Sequence, residues 1–493
     1  MQGYISAIMK GDTTTARDYW DAEYLQLCNR LGIEFEGVSA KYDCASPLYQ
    51  YEEELKSGTY SLEVGEAQVS GATARIPLMI VSPTDTLSYA YHCRQQDGRW
   101  VISPVVMELK KTLLYYDTKF CRVYFDDSSR INVFACNELD RFIESTVLDL
   151  GISSERLQKL PERKIYYFLL DADGVEAATG FRTEGMYDIP SDAIFTSHLP
   201  HNHELTHLLM NLAVEHPSLY TAPFLQEGIA CHFGGRWGRS PGIIKYIGFV
   251  NLNFGIGNLD QIMSFDKFHK GPGGADASYS ISSLFIDYLI RTIGISGFLE
   301  MYKDLSGTGE FVATLSETKA KAKVSDFAGL AWEYIAEGFA QFWPRYNHFG
   351  VEAYDTQLPA DTAAVALSES VDLMVWELPT SFLFEVDLSK SQDGGVLLIT
   401  EDTNGIGRFA SNLFAQHLAN VPYAGERYGI KFTPAEIGVY DYYTDELLAS
   451  YVYGFAMSAA PVDFNSSVYR FTVEKRLFGT TNILDCQIRA EAL

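Results

Sequence analysis

The segment His203-Glu204-Leu205-Thr206-His207 is the most chemically loaded stretch of this 493-residue sequence. On a helix, histidines at i and i+4 stand one turn apart on one face, where both imidazoles reach a single metal ion. Glu204 then points about 100° around the helix, beside the ion rather than onto it. A carboxylate in that place can take a proton from metal-bound water. A hydrolytic zinc site uses three protein ligands and leaves a fourth position open. After nineteen intervening residues comes Glu227, in Ala222-Pro223-Phe224-Leu225-Gln226-Glu227-Gly228-Ile229-Ala230. Pro223 suits the first turn of a second helix, and Gly234-Gly235 would stop it. The loop between, EHPSLYTA, is long enough to fold that helix back against the first.

The elements needed to hold these residues follow from the pattern around them. Pro200 sits where a helix can begin, with the cap on Asn202 or on the segment before it, and Leu205, Leu208, Leu209 and Leu212 supply an apolar face. Upstream, the pattern predicts a strand at 120–125, a helix at 131–150, a strand at 164–170, a loop containing Gly174, Gly180 and Gly185, and a short strand at 192–196. Long helices follow to Trp343. This is α+β order, a small sheet and then a helical half.

HELTH, nineteen residues and then Glu in LQEGIA resembles the gluzincin metallopeptidases, a group that includes thermolysin and the large aminopeptidase family. Glu-Gly-hydrophobic-Ala is closer to the aminopeptidase type. The resemblance implies that His203, His207 and Glu227 ligate one Zn2+ and that Glu204 is the general base. Further on, Ser278-Tyr279-Ser280-Ile281-Ser282-Ser283 opens a helix, with Gly294 fifteen positions after Tyr279. The aminopeptidase-like gluzincins keep this interval, and there the tyrosine donates a hydrogen bond to the oxyanion. Tyr279 takes that role by resemblance, and a neutral phenol suits charge that develops only in the transition state. The short strand before the HELTH helix, IPSDAIFTS, corresponds to the edge strand of these enzymes, which can pair with an extended substrate. The aminopeptidases carry Gly-x-Met-Glu-Asn nearby, and its Glu binds the free amino terminus. Here Gly185-Met186-Tyr187-Asp188 lacks that glutamate, which counts against aminopeptidase activity specifically.

Five other features near the motif read as supporting structure. His201 and His203 point to different sides of a helix, and His198, His201 and His232 belong at the rim or behind the ligands. Cys231 belongs to helix packing, because a fourth thiolate would close the site. Gly271-Pro272-Gly273-Gly274 forms a lid or a turn.

At this length two to four domains are expected, and the sequence predicts three: 1–108, 111–345 and 350–493. The first starts helical and turns to alternating strands, with a tight turn at Gln96-Asp97-Gly98-Arg99-Trp100. Helices followed by a curved antiparallel sheet ending in DGRWVIS weakly resemble the cone-shaped nuclear transport factor 2-like fold. The last reads as short strands at LMVWEL, SFLFEVDL, GGVLLITE, RYGIKFT, EIGVYDYY, SYVYGFAM and VYRFTVEKRL, a β-sandwich of about 140 residues. The expected fold class is therefore multidomain α+β. A zincin-type domain lies between a cone-like α+β domain and a β-sandwich.

Thirty-eight basic and 64 acidic residues leave a formal charge of −26, which argues against nucleic-acid and anionic-membrane partners. Apolar runs are of strand length, so no membrane span is expected. Seven scattered cysteines contain no CxxC pair and predict buried thiols. The N-terminus has no leader pattern, and localisation stays open, since removal of a leader would look the same. The expected activity is zinc-dependent hydrolysis of a peptide bond in a peptide or protein substrate. The alternatives are a non-catalytic zinc-containing scaffold and hydrolysis of a non-peptide bond on the same fold.

Overall fold

The computed structural model describes residues 1–236, 238–346, 351–353, 364–367, 372–387, 395–400, 427–432, 436–441, 446–452, 468–478 and 486–492. It is a multidomain α+β protein whose chain forms two compact units. One comprises Met1–Ile131, Leu139–Thr221 and Tyr302–Thr314, and the other Asn132–Glu138, Ala222–Met301 and Leu315–Leu493.

The first unit opens with helices Gln2–Met9, Thr13–Arg17 and Ala22–Cys28. Asp12 and Asp21 start the second and third by accepting the N–H groups of Thr15 and Glu23. An antiparallel sheet follows: β1 (Ser61–Val64), β2 (Gln68–Ser70), β3 (Thr73–Val81), β4 (Thr86–Gln96) and β5 (Arg99–Ile102). Its order is β1-β3-β4-β5, with β2 also on β3. Asp97 and Gly98 both take positive φ (50° and 78°), the conformation that a two-residue hairpin turn requires. Tyr4, Trp20, Leu78 and Tyr91 pack in a core that runs without a break into Tyr124, Phe168 and Phe195 of the next sheet.

That next sheet contains β6 (Leu114–Asp117), β7 (Cys121–Phe125), β8 (Ile165–Leu169), β9 (Gly185–Asp188) and β10 (Ala193–Thr196), in the order β6-β7-β8-β10-β9. The central strands β7, β8 and β10 are parallel, and β9 runs antiparallel to β10. Strands covered on both faces read as continuous apolar runs, and AIFT in β10 is buried throughout. Two sequence expectations change here. The strand at 192–196 is internal, and the edge is β9, which falls where a loop was expected. The same stretch also holds a helix, Ala172–Thr179, started by Asp171 accepting the Gly174 N–H and stopped by Gly180 at φ 81°. Its glycines mark helix ends and a close approach rather than a long loop. A two-residue ladder closes the unit, β11 (Tyr220–Thr221) against β12 (Ser306–Gly307), with the Thr221 and Ser306 hydroxyls 2.7 Å apart.

The second unit contains helices Pro223–Gly234, Pro241–Asn253, Leu259–Ile262, Phe265–Lys270, Glu317–Ala328 and Trp332–Phe342, together with helix Gly274–Asp304 as far as Met301. The long helix breaks at Gly294, where φ is 74°. It is the one helix among the described residues long and apolar enough to cross a membrane. Half of its apolar window is buried inside the protein, and Ser278, Ser280, Ser282, Ser283 and Asp287 lie buried along it, so no firm membrane span results.

Beyond these helices lie two antiparallel five-stranded sheets. Their strands are β13 (Val351–Ala353), β14 (Ala364–Leu367), β15 (Asp372–Glu377), β16 (Ser381–Asp387), β17 (Gly395–Thr400), β18 (Tyr428–Phe432), β19 (Glu436–Asp441), β20 (Glu446–Val452), β21 (Val468–Glu474) and β22 (Gln487–Ala492). The orders are β13-β21-β16-β15-β14 and β20-β19-β18-β17-β22. Val375, Phe384 and Phe471 from one sheet share a core with Leu397, Ile430 and Val439 from the other. Each of the seven expected strands corresponds at least in part to one of these. The last five residues of SYVYGFAM lie outside the described residues.

Candidate metal site

The first two candidate ligands stand on helix Asn202–Ala213. Leu205, Leu208 and Leu209 are fully buried and Leu212 nearly so, which seats the helix by its apolar face. His201 occupies the cap position but makes no capping bond. Its ring instead meets the Thr196 hydroxyl at 2.9 Å and stacks on His198 at 4.4 Å between centroids. His203 is buried and His207 partly so, with ring centroids 5.0 Å apart and planes at 86°.

Glu227 stands on helix Pro223–Gly234, with proline in the first turn and Gly235 at φ 70° past the end. A Cβ at Gly235 would fall 2.1 Å from the Arg239 carbonyl oxygen, so glycine is required there. Gly228 lets this helix approach the long one: a Cβ on it would lie 2.7 Å from Ile286 Cγ1 and 3.0 Å from Ser282 Cβ.

The donor atoms of His203, His207 and Glu227 all lie within 4.8 Å of one another. Donors about a tetrahedral zinc ion sit roughly 3.3 Å apart, given bonds of about 2.0–2.1 Å. The trio is a group that could hold a metal ion. Two imidazole nitrogens and a carboxylate fit zinc, and they also suit other first-row divalent metals.

Glu204 is not part of the trio. One of its oxygens accepts the Tyr187 backbone N–H at 2.9 Å, and the other lies 4.0 Å from His201 Nε2. The carboxylate is thus tethered to the sheet edge β9 and remains partly exposed, at 15%. Gly185 makes room for this arrangement, since a Cβ there would fall 2.0 Å from the His201 ring.

Tyr279 lies near the start of the long helix, and its phenol makes a side-chain hydrogen bond with Glu227. Burial, with the Glu227 charge beside it, pushes its pKa far above the usual tyrosine range, against an opposing pull from Arg236. The Arg236 guanidinium lies 3.5 Å over its ring. The phenol is consequently a neutral donor at any ordinary pH. Gly294 ends the regular helix fifteen residues on.

The residues set aside by sequence stay outside the trio. Cys231 is fully buried. His232 is held neutral chiefly by burial, with Lys245, Asp287 and Arg291 as its charged neighbours. The GPGG segment is a pinned turn: the buried Gln261 side chain donates to the Pro272 carbonyl and the Ser278 hydroxyl. Sequence reasoning missed Tyr187 and Arg236. Tyr187 contributes a main-chain N–H, which carries no side-chain signature.

The chain matches no protein-family model, no curated protein and no solved structure.

Proposed function

We propose that this protein is a zinc-dependent hydrolase acting on peptide bonds, with one catalytic ion held by His203, His207 and Glu227. The convergence of these three donors within 4.8 Å carries the reading. Zinc bound at such a trio supplies Lewis acidity and lowers the pKa of a water in its open position. Glu204, tethered at one oxygen by the Tyr187 N–H, takes the proton of the attacking water and later passes it to the leaving amine. Tyr279, a neutral phenol hydrogen-bonded to Glu227, exchanges that bond for one to the oxyanion as charge develops on the substrate. The zincin-type reading of residues 111–345 and the sandwich reading of residues 350–493 belong to the same proposal, as does the cone-like reading of residues 1–108.

The test combines metal analysis with a peptide library. Purified wild-type protein is expected to bind one zinc per chain and to cleave library peptides, with cleavage abolished by chelation. Glu204→Gln is expected to keep the metal and lose turnover. Cleavage that survives complete removal of zinc would refute the mechanism. A wild-type protein that holds zinc and cleaves nothing would leave the scaffold alternative standing.

A further inference from the structure

Two cations from the first 45 residues reach the turn beside the sheet edge. The Arg30 guanidinium donates to the carbonyls of Lys164, Ser191 and Asp192 at 2.9, 3.2 and 2.9 Å. Lys41 Nζ meets Asp192 Oδ2 at 2.6 Å, with the two side chains only 10% and 0% exposed. The other Asp192 oxygen accepts the Tyr187 hydroxyl at 2.9 Å. That hydroxyl also takes a bond from the Asn211 amide, on the helix that carries His203 and His207, at 3.4 Å. The Tyr187 N–H in turn holds Glu204 at 2.9 Å. A continuous series of contacts thus runs from Lys41 through Asp192 and Tyr187 to Glu204.

We propose that Lys41, acting through Asp192 and Tyr187, is a positioning residue for Glu204. The first segment of the chain is then part of the catalytic apparatus. This rests on the hydrolase reading above. A carboxylate as buried as Asp192 needs a cation and hydrogen bonds to remain ionised. Paired to Lys41, it fixes the Tyr187 phenol, and through it the register of a four-residue edge strand held by β10 on one side. A short edge of this kind would otherwise open locally at small cost. Because the Tyr187 N–H is the carboxylate's hydrogen-bond tether, movement of β9 moves the base. Misplacement by about 1 Å is enough to cost roughly 100-fold in rate.

The test uses Tyr187→Phe and the paired variant Lys41→Met/Asp192→Asn, which removes both charges so that neither is stranded in the interior. Each is expected to lower kcat about 10- to 100-fold while KM and zinc content stay at wild-type values. Lys41→Arg, which keeps the charge, is expected to recover most of the rate. Hydrogen exchange in the peptide covering Gly185–Asp188 is expected to accelerate in both variants. Unchanged exchange, unchanged kcat, or a fall in kcat matched by loss of zinc would each overturn the proposal. Wild-type turnover with unaffected variants sinks this proposal alone, whereas a wild-type protein without turnover sinks the hydrolase reading and this proposal with it.

Discussion

Gly228→Ala places a methyl group where two helices touch. Its Cβ would lie 2.7 Å from Ile286 Cγ1, 3.0 Å from Ser282 Cβ and 3.2 Å from the Ser282 carbonyl carbon. Comfortable carbon–carbon contact begins near 3.5 Å, so the helices must separate by roughly 0.5–0.8 Å. Neither neighbour can rotate away cheaply, because Ile286 and Ser282 are both fully buried. Alanine in place of a mid-helix glycine gains about 1 kcal/mol of helix propensity. Overpacking costs about 1–3 kcal/mol, so the net loss of stability is roughly 0–2 kcal/mol and the variant folds. The larger effect falls on Glu227, one residue away, whose bond with Tyr279 spans the two helices being pushed apart. Disturbing a group that supports a metal ligand lowers affinity about 10- to 100-fold. Zinc titration against a chromogenic chelator, on protein shown by thermal melting to be folded, is expected to give a Kd at least about 10-fold weaker than wild type. Wild-type affinity in folded Gly228→Ala would refute the claim that this close approach sets the third ligand.

Tyr279→Phe is expected to lower kcat about 100- to 1,000-fold with zinc retained; equal loss of metal would make the tyrosine a support for Glu227 only. Gly185→Ala drives a methyl into the His201 ring and is expected to reduce kcat with no change in zinc stoichiometry, read by steady-state assay beside metal analysis. Asp43 is fully buried under the Tyr91 hydroxyl at 2.7 Å and the Tyr4 hydroxyl, and burial pushes its carboxyl up to about 7 from 3.8. The folded state therefore holds a proton that the unfolded chain has released between about pH 4 and 7, so this group's contribution favours folding at acid pH and is lost as pH rises through 7. Relative to Asp43→Asn, the wild type is expected to lose up to about 4 kcal/mol over that window, measured from urea unfolding at each pH; parallel pH profiles for the two proteins would contradict this.

The parts of the candidate site that depend on side-chain identity could be proposed directly from sequence. Two histidines one turn apart, a proline opening the next helix and a double glycine closing it locate His203, His207 and Glu227. The leucines facing inward from the first helix confirm the period. What could not be read is set by main-chain geometry and by contacts distant in sequence. Gly185 looked like loop punctuation, yet it opens the edge strand and clears space for His201. Tyr187 acts through its N–H, which every non-proline residue possesses. Lys41 meets Asp192 across 151 positions, and no local pattern reports such a pairing. The described strands after residue 350 announced themselves by alternation. In β10, burial on both faces removes the alternation that distinguishes an edge from a centre.

The small ladder between Tyr220–Thr221 and Ser306–Gly307 also bears on how the chain is made. Thr221 and Ser306 are 85 residues apart, and the unit they close includes residues as late as Thr314. A ribosome emitting the chain from its N-terminus cannot complete this unit until that last piece emerges. Closing so long a loop is entropically slow to initiate. The unit's earlier sheets, apolar strands such as AIFT included, therefore wait for this separate ladder until Ser306 has been made, an interval in which the unit is exposed to misassembly.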